Sequence, residues 1–560
     1  MRRTGRSRGG RAPRGYDVFS LAVFLLLSWA IGAWAQETPA SIEEALRLRV
    51  AALPAARTGN GFRDIPAMIR DFYTAREFRT LWVGPQGPTA AAAALQKVLD
   101  NAAAEGLDPE DYRLPEMEAG PSRAAATPQG AADWEIRCSQ TFLTYAVHLA
   151  RGRFDPEREF FQWVPYRRPA DPLAALAEVG RGTAPEAALA ALAPRHPSYG
   201  ALKERLEFYR RLAAAGPLTP LPPGKALKKG STGPRVAALK NRLLLLGDLN
   251  GELLHDPEVF DGVTDLAVRR FQWRHGLKIT GIVDKQTLAS LNADPARRVR
   301  QLEINLERWR WYPDDFGSLY VMVIIPDFWL FVVEDWKTVL SMKTVVGTAQ
   351  NPSPIFNDTM TYLELNPPWN IPASIVEKEM IPSVLKDPDF LKKKRIRIYR
   401  DWSEKAREID PAAIDWRKVN PEKFPYRMVQ DPGVNPLGRI KFMFPNSFDV
   451  YLHDTTQRYL FNRHRRMFSH GCIRVEKPYE LALWVLKDNP GWSRERLMAE
   501  IGKRKRQVVT LTRTVPVHVL YLTAWVDGHG VLQFREDIYG YDAAHEAYLK
   551  KMKNRLSGRP

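Results

Sequence analysis

Cysteine is the scarcest reactive residue in this sequence: 560 residues contain two, Cys138 and Cys472. So few thiols exclude a disulfide-built scaffold. No second cysteine lies near Cys472, and no C-x-x-C or H-x-x-x-H spacing accompanies it, so the usual zinc-ligand patterns are missing there. Compositional extremes are missing as well. Charged residues make up 26% and apolar residues 45%, which excludes a disordered, collagenous or multi-span membrane chain and leaves ample material for packed cores. At roughly 100–200 residues per domain, the length predicts three or four folding units. Negative charge is the minority: the formal net charge is +18. A basic surface favours polyanions or anionic membranes, and charge alone does not choose between them.

What is present begins with the leader. Six arginines and a single acid, Asp17, precede an apolar run from Val18 to Ala35 that ends in Ala33-Trp-Ala35. A basic segment, an apolar segment and a small-x-small end read as a signal peptide. The run is also just long enough to serve as an N-terminal membrane anchor. Residues 1–35 are therefore expected to be one or the other, with everything after Gln36 outside the cytoplasm. That compartment, together with the scattered placement of Lys and Arg, sets nucleic acid aside as a partner.

Three textures follow. Residues 40–215 are rich in Ala, Leu and Arg with helical periodicity, opened by Ser41-Ile-Glu-Glu44 in the manner of a capping box. They predict a helical scaffold domain, with Cys138 inside an apolar helical pattern as a packed thiol. After a Pro/Gly-rich linker, residues 225–295 read as a small helical unit. From about 300 to 545 short β-branched runs such as Tyr320–Ile325 and Trp329–Val333 predict a β-rich domain. An insertion of helical texture at about 375–425 reads as a cap. The whole is expected to be multidomain α+β.

The chemistry concentrates in Phe468-Ser-His-Gly-Cys-Ile-Arg-Val475. A cysteine nucleophile works as its thiolate, so it needs a neighbouring base or positive charge. His470 lies two residues before Cys472 and Arg474 two after. Gly471 removes a side chain beside the thiol, and its backbone N–H is a candidate oxyanion-hole donor. Upstream, Tyr451-Leu-His-Asp-Thr455 puts His453 at a strand end, in position to act as the general base. Locally, a His-x-Cys pair also suits a structural contact or half of a metal site.

The full combination is more telling. A histidine, a gap of about sixteen residues and then Ser-His-Gly-Cys-Ile-Arg resembles the signature of the L,D-transpeptidase (YkuD) family. Asn351-Pro-Ser-Pro-Ile-Phe356 and Leu365-Asn-Pro-Pro-Trp-Asn-Ile-Pro372 also match that family's blocks, with Ser353 standing where threonine is usual and Ile324 where asparagine is usual. The aromatic-rich N-terminal region, the cap and Leu522–Asp527 resemble its large YcbB-type subgroup. The Gly-x-x-Gly-Pro, Ala-Val-x-x-Phe-Gln and Thr-Gly-x-Val-Asp blocks within residues 225–295 are similar to a three-helix peptidoglycan-binding domain. The resemblance implies a β-sandwich-like catalytic domain without cofactor or metal, acting in the periplasm, free or tethered to the inner membrane. It implies 3-3 cross-linking of diaminopimelate residues in peptidoglycan stem peptides, with carbapenems as inhibitors. Cys472 would be the nucleophile, His453 the base, Ser469 and His470 orienting neighbours, and the Gly471 and Cys472 backbone N–H groups the oxyanion hole. Arg474 would contact a substrate carboxylate or hold the loop. Hydrolysis by the same cysteine, lipoprotein attachment or release, and a non-catalytic wall-binding scaffold are the alternative readings.

Overall fold

The computed structural model describes residues 41–54, 64–113, 127–160, 162–253, 256–403 and 405–556. The expected export segment, residues 1–35, lies outside the described residues.

Helices Ile42–Ala51, Ile65–Ala75 and Pro128–Arg151 build the scaffold with a small hairpin, β1 (Val83–Gly84) and β2 (Gly87–Pro88). Ser41 caps the first helix, its Oγ accepting the Glu44 N–H at 3.2 Å. The long central helix buries Cys138, Phe142 and Ala146 in one cluster. It also buries Glu135, whose carboxylate accepts the N–H groups of Leu81, Trp82 and Val83 at 2.6, 2.9 and 2.9 Å. The Tyr73 hydroxyl donates to it at 2.8 Å. A buried carboxylate needs such donors to offset its lost hydration.

Helices Pro234–Leu245, Gly262–Arg274 and Lys285–Leu291 form the small unit around Val236, Leu239, Leu243, Val268 and Phe271. Asp261 and Asp284 cap the second and third, each accepting an N–H three residues on at 2.8 Å. Such caps satisfy helix-start donors that have no partner within the helix.

The third region opens with β3 (Leu319–Ile324), β4 (Trp329–Glu334), β5 (Lys337–Gly347) and β6 (Phe356–Leu365). The chain then leaves for the cap, which holds β7 (Trp369–Asn370), β8 (Ile396–Tyr399), β9 (Glu408–Ile409) and β10 (Arg427–Gln430). It returns as β11 (Ile440–Met443), β12 (Leu452–His453), β13 (Met467–Ser469), β14 (Ile473–Val475) and β15 (Gln507–Leu520), and ends in a hairpin, β16 (Ala524–Val526) and β17 (Leu532–Phe534). Nine strands lie in the order β13-β5-β14-β12-β11-β6-β15-β3-β4, and β4 also pairs with β5, so the mixed sheet closes on itself. Its interior is a dense apolar core that includes Val321, Leu330, Leu363, Phe442, Leu452, Ile473 and Val517. Helix Pro197–Ala214 contributes Leu202 and Leu206 to this same core, rather than to the scaffold cluster.

The cap combines short helices with its four-stranded sheet, ordered β7-β10-β8-β9, around its own cluster of Ile371, Val376, Ile381, Ile398 and Met428. The helical texture of residues 375–425 is therefore one half of an α+β lobe. Its strands are two to four residues long, too short for an alternating pattern to be visible in the sequence. Asn435 pins the chain's return: its side-chain amide donates to the carbonyls of Pro367 and Asp431 at 2.8 and 3.0 Å.

Candidate active site

The strand register assembles the site. β12 runs parallel to β14, with Leu452 opposite Ile473 and His453 opposite Arg474. β11 lies on the other side of β12, with Lys441 opposite His453, and β6 follows with Glu364 opposite Lys441. Side chains alternate along a strand. Glu364, Lys441, His453 and Arg474 therefore form one polar row across four strands. Tyr451 and Cys472, two residues before His453 and Arg474, immediately precede β12 and β14 and lie beside that row.

Cys472 is half-buried. Its Sγ lies 4.0 Å from the carbonyl oxygen of Asp449, in the turn leading to β12. Burial pushes the thiol up, while hydrogen bonds from the backbone and hydroxyl of Tyr451 and the positive charges of Lys441 and Arg474 pull it back. His453 is 3% exposed. Its Nδ1 lies 2.5 Å from the Asp454 carbonyl oxygen. A carbonyl only accepts, so Nδ1 carries the hydrogen and Nε2 keeps the lone pair that a base needs. Burial, followed by repulsion from Arg474, presses His453 down to about 3. The resting pair is thus a neutral thiol and a neutral imidazole.

The loop before the nucleophile is held tightly. Gly471 has φ +119°, a conformation that disfavours any side chain, although a Cβ there would meet only the Pro352 carbonyl oxygen, at an ordinary 3.6 Å. The Ser353 hydroxyl donates to the Gly471 carbonyl at 2.6 Å and accepts the Gly347 N–H at 3.0 Å. The Tyr539 hydroxyl accepts the Ser353 N–H at 3.1 Å and donates to the Gly347 carbonyl at 2.9 Å. Ser353, read in the sequence only as a departure from threonine, is therefore a tether of the catalytic loop. Its reach across to residue 471 has no sequence signal.

Two expectations change at this loop. Gly471 N–H donates to Ser469 Oγ at 3.2 Å, so it is engaged rather than free as an oxyanion donor. The Ser469 hydroxyl reaches forward over a tight turn in which Gly471 has a positive φ. The same turn breaks the two-residue alternation that would place His470 beside the thiol. His470 is exposed and its Nε2 lies 2.9 Å from Glu379 Oε1 in the cap. Ser469 is buried, and its carbonyl accepts the Thr348 N–H at 3.0 Å, which anchors the loop to the segment after β5. Arg474 donates to Gln457 Oε1 at 2.6 Å, gripping the loop that follows His453.

Three further residues have partners that the sequence does not assign, and His464 reads there as a solvated residue of its basic run. Lys441 and Tyr451 are brought beside Cys472 only by sheet register. His464, in the basic Arg463–Arg466 run, shares a hydrogen bond at 3.0 Å with the Gly276 carbonyl of the small helical unit. Arg535 joins the same junction, paired with Asp327 at 2.6 Å and donating to the Arg274 carbonyl at 3.1 Å. The segment that leads into the Ser-His-Gly-Cys motif is thereby attached to the helical unit.

Residues 318–511 match the L,D-transpeptidase catalytic domain family. This segment is a YkuD domain. Residues 232–291 match a peptidoglycan binding domain and residues 67–206 a scaffold domain. An L,D-transpeptidase of Haemophilus influenzae is 33% identical over 263 residues, covering 46% of this chain and 52% of that protein. The match thus spans about half the length of the curated relative. Among solved structures, L,D-transpeptidases of Xylanimonas cellulosilytica and Stackebrandtia nassauensis are 15% and 16% identical, with TM-scores of 0.18 and 0.22. They cover 53% and 54% of this chain, and 99% and 97% of their own lengths. These remote likenesses add nothing to the family match. The YkuD domain carries both Cys472 and His453, and the cap is inserted within it between β6 and β11.

Proposed function

We propose that the protein is an L,D-transpeptidase that builds 3-3 cross-links in peptidoglycan through Cys472. The observation that supports this reading is a buried, neutral His453 whose proton-accepting nitrogen is defined by its backbone bond, on a strand that pairs in parallel with the one that follows Cys472. His453 takes the thiol proton as Sγ attacks the carbonyl between diaminopimelate and D-Ala of a tetrapeptide stem. A thioester forms, and D-Ala leaves with the proton returned from His453. The side-chain amine of an acceptor diaminopimelate then attacks the thioester and releases the thiol. Splitting amide exchange into two acyl transfers replaces one hard step with two easier ones.

The Cys472 N–H is the donor within the motif that suits the oxyanion, because that of Gly471 is engaged. The cap, held to the motif by Glu379, supports acceptance by an amine over water through restricted solvent access. The basic, apolar leader supports a periplasmic location, secreted or tethered to the inner membrane. A carbapenem carbonyl is a suitable electrophile for the same thiol.

The test is mass spectrometry of the protein incubated with disaccharide-tetrapeptides, with Cys472→Ala as control. Dimers joined through two diaminopimelates, absent with the variant, are the expected result. Loss of D-Ala without dimers would move the function to hydrolysis, and no turnover at all would sink the reading.

A further inference from the structure

The polar row beside Cys472 contains a cation without a visible counter-charge. Lys441 is cross-strand neighbour to Glu364, but that carboxylate pairs with Arg506 at 2.5 Å. Among the described residues Lys441 forms no ion pair within 4 Å. Its Nζ lies 3.9 Å from the centroid of the Tyr451 ring instead. Tyr451 is the residue whose backbone and hydroxyl bond the Cys472 thiol. An ammonium over an aromatic face is held electrostatically, and more strongly where water is excluded. A lysine is costly to keep half-buried and unpaired, which calls for an anion that arises during the reaction.

We infer that Lys441 is a positioning residue that makes Cys472 nucleophilic: its fixed charge, seated on Tyr451, stabilises the thiolate that forms when the proton leaves. His453 cannot supply that charge at rest, because it is neutral at physiological pH. The charged and titratable groups around the thiol are Tyr451 just before β12, His453 on β12, Lys441 on β11, Glu364 on β6, Arg474 on β14 and Asp449 in the turn before β12. Arg474 is committed to Gln457 and Glu364 to Arg506, which leaves Lys441 as the uncommitted cation among them. The mutual attraction of the thiolate and Lys441, set against the burial of each, agrees with this placement.

The inference rests on Cys472 being the nucleophile proposed above, but its test needs no peptidoglycan. Iodoacetamide reacts with thiolates only, and the other cysteine, Cys138, is fully buried. Alkylation of Cys472 in the full chain is followed by mass spectrometry across pH for wild type, Lys441→Met and Lys441→Arg. The methionine variant is expected to shift the midpoint up by about one pH unit, so alkylation near neutral pH slows by about tenfold. The arginine variant is expected to restore the wild-type profile. A Lys441→Met profile that superimposes on wild type, with Cys138 unlabelled, overturns the inference. Labelling of Cys138 marks loss of fold, and Lys441→Gln then takes the place of methionine. A shift there that Lys441→Arg shares also overturns it, because the effect would follow packing rather than charge. Failure of cross-linking with an unchanged Lys441 effect would instead count against the proposed function alone.

Discussion

Cys138 and Cys472 are both withdrawn from water, and burial raises both thiols, yet their neighbours act in opposite directions. In the scaffold helix the nearby Glu135 carboxylate pushes Cys138 further up. In the YkuD domain Tyr451, Lys441 and Arg474 pull Cys472 back down. Cys138 fills space in a core. Cys472 stands at a strand start, after a glycine whose φ admits no ordinary side chain, and faces a row of cations and a neutral base. Burial alone therefore does not make a thiol inert or reactive; the sign of the charge around it does.

The sharpest way to test this contrast is to remove each thiol. Cys472→Ala is expected to abolish cross-linking, a loss on the order of 10⁴-fold or more. Cys138→Ala should leave turnover intact and cost about 1 kcal/mol in denaturant unfolding. Equal effects on turnover would erase the distinction.

His453→Gln is the next largest. It removes the base but keeps the size of the side chain, and turnover should fall about 10²–10⁴-fold. The wild-type residue also leaves a pH signature. Burial presses its pKa in the fold to about 3, against an ordinary 6.5, and those of His148, His196 and His518 to about 4. An unfolded chain binds the protons that the fold refuses, so stability is complete above about pH 6.5 and is lost as pH falls toward these lower values. Thermal midpoints should decline between about pH 6.5 and pH 4, and a flat profile would show these imidazoles to be hydrated.

Glu135→Ala tests the other side of the comparison. It strips a buried acceptor from three backbone N–H groups and Tyr73, at a cost of about 3 kcal/mol. Cys138 should then alkylate with iodoacetamide while Cys472 keeps its own pH profile. Simultaneous exposure of both would mean that the two regions unfold as one unit.

The smallest effect is expected from Glu379→Gln. Both Glu379 and His470 are about half exposed, so their bond should contribute less than about 1 kcal/mol to stability. Its loss should appear in the ratio of cross-linking to D-Ala release, and an unchanged ratio would show that the cap is indifferent to His470.

Much of the molecule was legible before its structure. The β-branched runs at Tyr320–Ile325 and Trp329–Val333 lie in β3 and β4 and their flanks, and Ser41 caps the helix that its spacing announces. The Ser-His-Gly-Cys motif and the upstream histidine pointed to one domain because residues with chemical work to do are conspicuous by type. The cap sheet was invisible because two- to four-residue strands carry too short a pattern. The partners of Ser353, Lys441, Tyr451 and His464 were missed for another reason: they lie far away in sequence, and no local rule connects residue 353 to 471 or 464 to 276.

The sequence by itself determined that a cysteine with a glycine before it and a histidine upstream would stand in a β-rich region, between a helical scaffold and an insertion. Those features follow from local preference, periodicity and residue chemistry, all of which act within a few residues. Only the tertiary structure decided which groups set the thiol's charge, that His470 faces the cap, and that the Gly471 N–H is occupied. Strand register and the conformation of one loop control those outcomes, because each pairing across the sheet decides which side chains share a face and which backbone groups remain free.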